Sequence, residues 1–413
     1  MELTQHEEAL ARGDMGPEVK RAIEQQIKVG EFWGAERFVE VTNVHMMGDI
    51  EVMGDAGLEH LSCMAKAKAR CVVPMTTNAR CFDFAHADAL GQDAGEAEKE
   101  KRLIAHLRDM DVITADTCIV YQTLYQPHFG EHVAWGDTGT VIYANSVFGA
   151  RTNFESGPAA MAAAMTGRTP AYGFHLDEHR KGTFVVHVRA HPRDFADWGA
   201  IGKLVGQSHQ DYFAVPVFHG LDRSPGSDEL KHLGAALASY GSMGMFHMVG
   251  VTPEAPTVAA ALGGNKPTAE MRITDVDIAK VYRSYDLKDG QCDLVVFSAP
   301  QLSLFEMKLL ADLMRGRKVK TGTHVFVTTA STVKSDALRL GYLQDIESAG
   351  AIVLQGVCFY ILQNLSEIRV RNGWTNLISN SAKIVNTITA HKFNTILRRT
   401  ADCVEIAVSG VLK

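Results

Sequence analysis

Three short segments carry the side chains best suited to gripping a small oxyanion: residues 76–80 (TTNAR), 143–153 (YANSVFGARTN) and 379–383 (SNSAK). Their donors are Thr76, Thr77, Asn78, Asn145, Ser146, Arg151, Thr152, Asn153, Ser379, Asn380, Ser381 and Lys383, next to glycine-rich backbone that exposes N–H groups. Hydroxyl, amide and cationic groups in that density suit a small carboxylate or other oxyanion, and they also occur in ordinary loops. Arg151 is the strongest single candidate because a guanidinium binds a carboxylate bidentately, with a surface ion pair as its alternative. His45 (NVHMMG) and His247 (MFHMVG) are flanked by apolar residues. A histidine in such a setting is either a satisfied core residue or a group for acid–base work or ligation.

The common catalytic signatures are missing: there is no GxxxxGK[ST], no GxGxxG after a strand, no HExxH and no GxSxG. Seven cysteines, at 63, 71, 81, 118, 292, 358 and 403, form an odd set with no CxxC pair. That pattern argues against a disulfide framework or a zinc ribbon, and most of these thiols are expected in the core.

The elements that must carry these residues alternate. Residues 7–29 read as helix broken at 13–17, and a mixed apolar and charged pattern resumes over 47–68. Residues 115–158 change to aromatic, Gly, Asn, Thr and His texture, which suggests loops and short strands. The runs TFVVHV (183–188) and FAVPVF (213–218) read as strands, followed by a helix with Ser227 as N-cap. From Cys292 onward the order is strand (CDLVVFS), helix 303–315 with Ser303 and Glu306 at capping-box spacing, strand (HVFVTT), helix 331–348 and strand (AIVLQG). Such alternation implies parallel sheets with ligands outside the strand C-terminal ends, here 298–301, 328–331 and 356–358.

At 413 residues and 46% apolar content the chain has material for several α/β modules. We divide it into an N-terminal helical and α/β region (1–115), a central α/β region with the substrate loops (116–290) and a C-terminal βαβαβ region (291–413). A net charge of −7 provides no basic field for nucleic acid or an anionic membrane. The polar, acidic start and the absence of a long apolar run point to a cytoplasmic protein.

The stretches HMMGDIEVMGDAGLEHL, EHVAWGDTGTVIYANSVFGARTN, YGFHLDEHRKGT, LGAALASYGSMGMFHMVGVTPEA and SNSAK together resemble the large subunit of aconitase X, and the likeness runs through nearly the whole chain. The resemblance implies a multi-domain aconitase-like α/β architecture of parallel-sheet modules. It also implies that the small swivelling domain, which brings a Ser base, belongs to a separately encoded subunit. The implied activity is hydro-lyase chemistry on a small hydroxy acid, with cis-3-hydroxy-L-proline going to Δ1-pyrroline-2-carboxylate. A phosphomevalonate dehydratase large subunit and a cluster-less, non-catalytic paralogue are the alternatives. In the family three cysteines hold an iron centre; Cys118 and Cys358 match two of them, and Ala299, in the sequence Ser298-Ala299-Pro300-Gln301, stands at the third. The implied cofactor is an iron–sulfur cluster or a mononuclear iron on Cys118 and Cys358. Arg151, Asn145 and Ser146 would take the substrate carboxylate, Thr76, Thr77 and Asn78 would add donors, and His45 and His247 would assist near the leaving hydroxyl.

Overall fold

Short β-branched and apolar runs give the chain its strands. The computed structural model describes residues 1–286 and 292–411, so the expected boundary at 290/291 and the last residue of the C-terminal region lie outside the described residues. Fourteen strands form in chain order among them. The first five are β1 (Phe38–Glu40), β2 (Val44–Met46), β3 (Met75–Thr77), β4 (Ala134–Trp135) and β5 (Arg168–Pro170). Strands β3-β2-β4 make a parallel sheet, and β1 pairs antiparallel with β5.

A second parallel sheet, β8-β7-β6-β9, is built from β6 (Phe184–Val188), β7 (Pro216–His219), β8 (His247–Met248) and β9 (Glu270–Ile273). A third, ordered β12-β11-β10-β13-β14, uses β10 (Leu294–Leu302), β11 (His324–Thr329), β12 (Ile352–Gln355), β13 (Asn376–Ser379) and β14 (Asn394–Leu397). All its pairings are parallel, as the strand–helix alternation requires. The α/β, parallel-sheet architecture expected from the sequence is therefore the one observed.

Local details differ where backbone chemistry intervenes. The helix expected over 331–348 is two, Ser331–Arg339 and Tyr342–Ser348, because Gly341 between them adopts a left-handed conformation that ends the first. Ser227 is the first helical residue and Gly226 the cap, with the Glu229 side chain accepting the Gly226 N–H at 2.7 Å. The segment read as loop over 115–158 holds a buried helix, Thr138–Tyr143, running into a π-helical turn, Ala144–Phe148. The helix Ser303 was expected to cap does start there: its hydroxyl accepts the Glu306 N–H, and the Glu306 carboxylate accepts the Ser303 N–H at 2.8 Å.

One excursion matters for function. Strand β10 pairs in register with β11 up to Phe297, then loses register until Leu302 meets Thr329. Residues 298–301 therefore loop out at the carboxyl end of the sheet, where ligands are expected in such folds. Within them Ala299 takes φ +51°, a left-handed conformation uncommon for a residue with a Cβ and concentrated at functional sites.

Candidate active site

Strand ends from the first and third sheets face one another and deliver a single set of polar side chains. His45 lies on β2 and Asn78 just past β3; Asp137 follows β4 and caps the helix Thr138–Tyr143 by accepting the Gly139 N–H at 3.1 Å. From the third sheet come the loop 298–301, Cys358 beyond β12, and Lys383 on the helix Ala382–Thr387 that follows β13. Cys118 and Tyr121 enter from the segment between the two sheets. Asp137 is the common neighbour, acting electrostatically on His45, Cys118, Tyr121, Cys358 and Lys383.

Gln301 ties the two cysteine loops together. Its Oε1 accepts from the Thr117 hydroxyl at 2.8 Å and from the Cys118 N–H at 3.2 Å, and its Nε2 donates to the Val357 carbonyl at 3.1 Å. The Gln301 N–H in turn donates to Cys118 Sγ at 3.2 Å. Ser381 fastens the same loop by donating to the Ala299 carbonyl at 2.6 Å, and the buried Lys231 ammonium donates to the Gln301 carbonyl at 3.2 Å. Gly356 must be glycine: φ is +69°, and a Cβ there would lie 3.2 Å from Asp116 Cβ.

A buried ionic frame stands behind these loops. The Arg80 guanidinium, 2% exposed, donates to Glu100 at 2.8 Å, Asp116 at 2.7 Å and the Gly48 carbonyl at 3.1 Å, and Thr77 donates to Asp116 at 2.7 Å. The Arg80 backbone brackets Gly356–Cys358, donating to the Gly356 carbonyl at 2.8 Å and accepting from the Cys358 N–H at 3.3 Å. Beside this frame Asp49 caps the helix Ile50–Lys66, and burial, reinforced by Glu100, pushes its carboxyl up to about 7. A folded-state value raised above the unfolded one stabilises the fold fully in acid and loses that contribution as pH rises from about 4 through 7. Asp49→Asn, which keeps the cap, is expected to remove that slope. In urea unfolding at pH 5 and pH 6.5 the wild type should lose about 2 kcal/mol more than the variant; equal losses would contradict the assignment.

The protonation states follow from burial. His45 is fully buried, and desolvation lowers it to about 4 although Asp137 opposes the shift, so the ring is neutral at pH 7. His45 Nδ1 shares a hydrogen bond of 2.8 Å with the Thr76 hydroxyl, which lies 3.3 Å from the Val44 carbonyl, and the ring also faces the Asn78 side chain and the Thr117 backbone. Burial, then Asp137 and Cys358, pushes the Cys118 thiol up to about 12, and burial also raises Cys358 despite Lys383. Burial works against the Lys383 charge, but the Asp137 carboxylate, with Nζ to Oδ1 at 3.7 Å, opposes it, and the ammonium is held above the ordinary lysine value. His45 Nε2, Asn78 Oδ1 and the Tyr121 hydroxyl are buried without a hydrogen-bond partner. Tyr121 also lines a cleft of about 430 Å³ with Ile119, Tyr143, Ser227, Ser303 and Phe305.

Residues 1–178, 182–283 and 292–409 match, in order, the first, second and third domains of aconitase X. The chain belongs to the aconitase X family. Its enzyme class is that of the aconitase X-type hydro-lyases, and its relatives divide between two names. The phosphomevalonate dehydratase large subunit of Methanothermobacter thermautotrophicus is 34% identical over 87% of this chain and 88% of its own length. The cis-3-hydroxy-L-proline dehydratase of Pseudomonas aeruginosa is 32% identical over 98% of this chain and 69% of its own length. The crystal structure of Thermococcus kodakaraensis aconitase X in its holo form superposes with a TM-score of 0.87 at 31% identity, covering 98% of this chain and 100% of that one. Among the described residues no helix is long and apolar enough to cross a membrane.

Of the side chains expected to act, His45, Thr76, Asn78, Cys118, Cys358, Ser381 and Lys383 are brought together around Asp137 or hold the loops that carry this set. Thr77 belongs to the Arg80 frame. Ser379 accepts the Ser381 N–H at 3.1 Å, and Asn380 donates to the Thr400 hydroxyl at 3.0 Å, so both shape the loop behind Lys383. The central segment is a correction. Asn145 donates to the Thr152 and Gly244 carbonyls and accepts from the Thr152 N–H and Arg180, which uses all its capacity. Ser146 accepts the Phe246 N–H, and Thr152 accepts the Trp135 N–H and donates to the Asn153 carbonyl. Asn153 holds Tyr172, Phe174 and Tyr212, and Arg151 is spent on the His175 carbonyl and Asp177. His247 Nε2 donates to the Arg180 carbonyl at 2.7 Å inside the second sheet's module. These six residues make structural hydrogen bonds within and between modules, away from the set around Asp137. Asp137, Tyr121, Gln301 and Arg80 were missed; an Asp directly after a strand and before a helix, as in AWGDTGT, was the available signal for Asp137.

A three-thiolate iron centre does not fit the residues present. Ala299 offers a methyl group where a third sulfur is needed. Among the described residues no three His, Cys, Asp or Glu side chains group so as to hold a metal ion.

Proposed function

We propose that this chain is the large subunit of a dehydratase that removes water from a small hydroxy acid, with a phosphomevalonate-type acid as the favoured substrate. The observation that carries the reading is the convergence of His45, Asn78, Tyr121, Asp137 and Lys383 at the carboxyl ends of two parallel sheets, in a chain of this family. The substrate preference is supported by relatives named phosphomevalonate dehydratase large subunit, which align over 87% or more of this chain and of their own length. A second reading, cis-3-hydroxy-L-proline, has support from the Pseudomonas relative, which aligns with 98% of this chain.

Dehydration needs a proton removed from carbon and a hydroxyl helped to leave. Neutral His45 positions the substrate hydroxyl, which takes a proton from Lys383 as its C–O bond breaks and leaves as water. Lys383 is the donor that meets developing negative charge, and Asp137 keeps it protonated. Tyr121 adds a second donor at the same place. The carbon base is left to a small subunit, the partner that the relatives' naming supports. The test is to purify the chain with a candidate small subunit and follow water loss from 5-phosphomevalonate and from cis-3-hydroxy-L-proline side by side. Turnover of the phosphorylated acid supports the favoured reading, turnover of hydroxyproline alone replaces it with the second, and no elimination from either defeats both.

A further inference from the structure

We infer that Lys231 is a positioning residue for the Asp137 site: through the Gln301 carbonyl it fixes the loop 298–301, and with it the surroundings of Cys118. The inference goes beyond the dehydratase reading, because it gives the second sheet's module a part in the site and holds whatever the substrate proves to be.

Three observations converge on it. The first is where the lysine stands. Lys231 lies on the helix Ser227–Gly241 with its side chain fully buried, donating to the Glu306 carboxylate and lying 3.1 Å from that of Asp228. Burial works against the charge, but Glu306 and Asp228 hold the ammonium above the ordinary lysine value. Beyond the carboxylates it donates to the Gln301 carbonyl at 3.2 Å and to Gln122 Oε1 at 3.4 Å.

The second is what Gln301 holds. On one side its carbonyl meets Lys231; on the other its N–H donates to Cys118 Sγ at 3.2 Å, and its side chain spans the Thr117, Cys118 and Val357 segments. Turning this residue therefore breaks the bonds around Cys118. Further ties on the loop come from the third sheet's own module: Thr328 on the Ser298 hydroxyl at 2.7 Å, Ser381 on the Ala299 carbonyl at 2.6 Å and Thr329 on the Leu302 carbonyl at 2.7 Å. Lys231 is the tie supplied by the second sheet's module.

The third is that the two carboxylates have other partners. Glu306 also accepts from His232 Nε2 at 2.7 Å and from the Ser303 N–H at 2.8 Å, and Asp228 accepts from the Ser303 hydroxyl at 2.7 Å and from Gln122 Nε2 at 2.9 Å. Desolvation offsets much of what a buried ion pair gains, so the contribution of this lysine falls on the geometry of the loop rather than on the carboxylates.

The test uses the full chain and follows thiol alkylation, so its failure is distinguishable from failure of the dehydratase assay. Native protein is treated anaerobically with iodoacetamide. Peptide mass spectrometry then follows Cys118 and Cys403, the second being a buried thiol on the helix Thr400–Ser409 of the third sheet's module. In Lys231→Met, Cys118 is expected to react about 10- to 100-fold faster than in the wild type, the effect of losing one charge-assisted hydrogen bond against local opening, with Cys403 within about twofold of its wild-type rate. The paired variant Lys231→Met/Glu306→Gln removes the cation without stranding a charge at position 306, and glutamine keeps the helix cap. It is expected to show the same selective rise, and it carries the test if Lys231→Met alone does not fold. Unchanged protection of Cys118, an equal rise at both cysteines, or loss of the rise in the paired variant each overturns the inference, the last by showing that stranded charge and not the loop contact opened the site.

Discussion

Lys383→Met is expected to lower turnover by about 10²–10³-fold when assayed with the small subunit, the effect typical of removing one preorganised donor from developing charge in a water-poor site. The size follows from the surroundings. Lys383 is buried between Asp137 and two sulfurs that are themselves held protonated. Its side chain is only about one-tenth exposed, so little water competes for its N–H groups. The unfolding midpoint should move much less than the rate, because burying an ammonium is itself costly and methionine fills a similar volume. Turnover within about threefold of wild type, measured with the same small subunit and substrate, would remove Lys383 from the chemistry.

Arg80→Met is expected to destabilise the fold by about 3–5 kcal/mol, the cost of leaving buried charges without their partner. Arg80 satisfies Glu100, whose side chain is fully buried, and Asp116, which carries Thr77 and leads into the Cys118 segment. Losing the guanidinium strands the Glu100 carboxylate, whose remaining partner is the Ile50 N–H at 2.7 Å. Adding Glu100→Gln to the same chain should recover part of the loss, since the stranded charge is then gone. Urea unfolding of the two single variants and the double variant measures the coupling. A cost for Arg80→Met below about 1 kcal/mol, or strict additivity with Glu100→Gln, would show that the frame is not what holds the site loops.

How far the site was legible in the sequence depends on how local its signals are. His45, Asn78 and Lys383 were named from local composition, and the folded strands β2, β3 and β13 then carry them to the carboxyl ends where parallel sheets place ligands. Asn145, Ser146, Arg151, Thr152 and Asn153 carried the most suggestive composition and turned out to hold backbone carbonyls and N–H groups across module boundaries. Composition names the donors in a segment but not their acceptors, and a buried asparagine with all four hydrogen bonds made looks the same in sequence as one that binds a ligand. Tyr121 and Gln301 had no motif at all: one is an aromatic among apolar residues, the other a glutamine where only the folded loop reveals two cysteine segments on either side.

The strand–helix alternation of the C-terminal region, the cap at Ser303, the parallel sheets and the missing third sulfur at Ala299 were all written in the chain, because each depends on neighbours within a few residues. What tertiary structure alone decided is which distant charges share one low-dielectric space. Asp137 and Lys383 are 246 positions apart, by subtraction of their residue numbers, and become a pair only when the first and third sheets bring their carboxyl ends together. Burial then neutralises His45, protonates both thiols and keeps the lysine charged, and no reading of types and spacings fixes those states, since each is set by the desolvation and the partners that packing supplies.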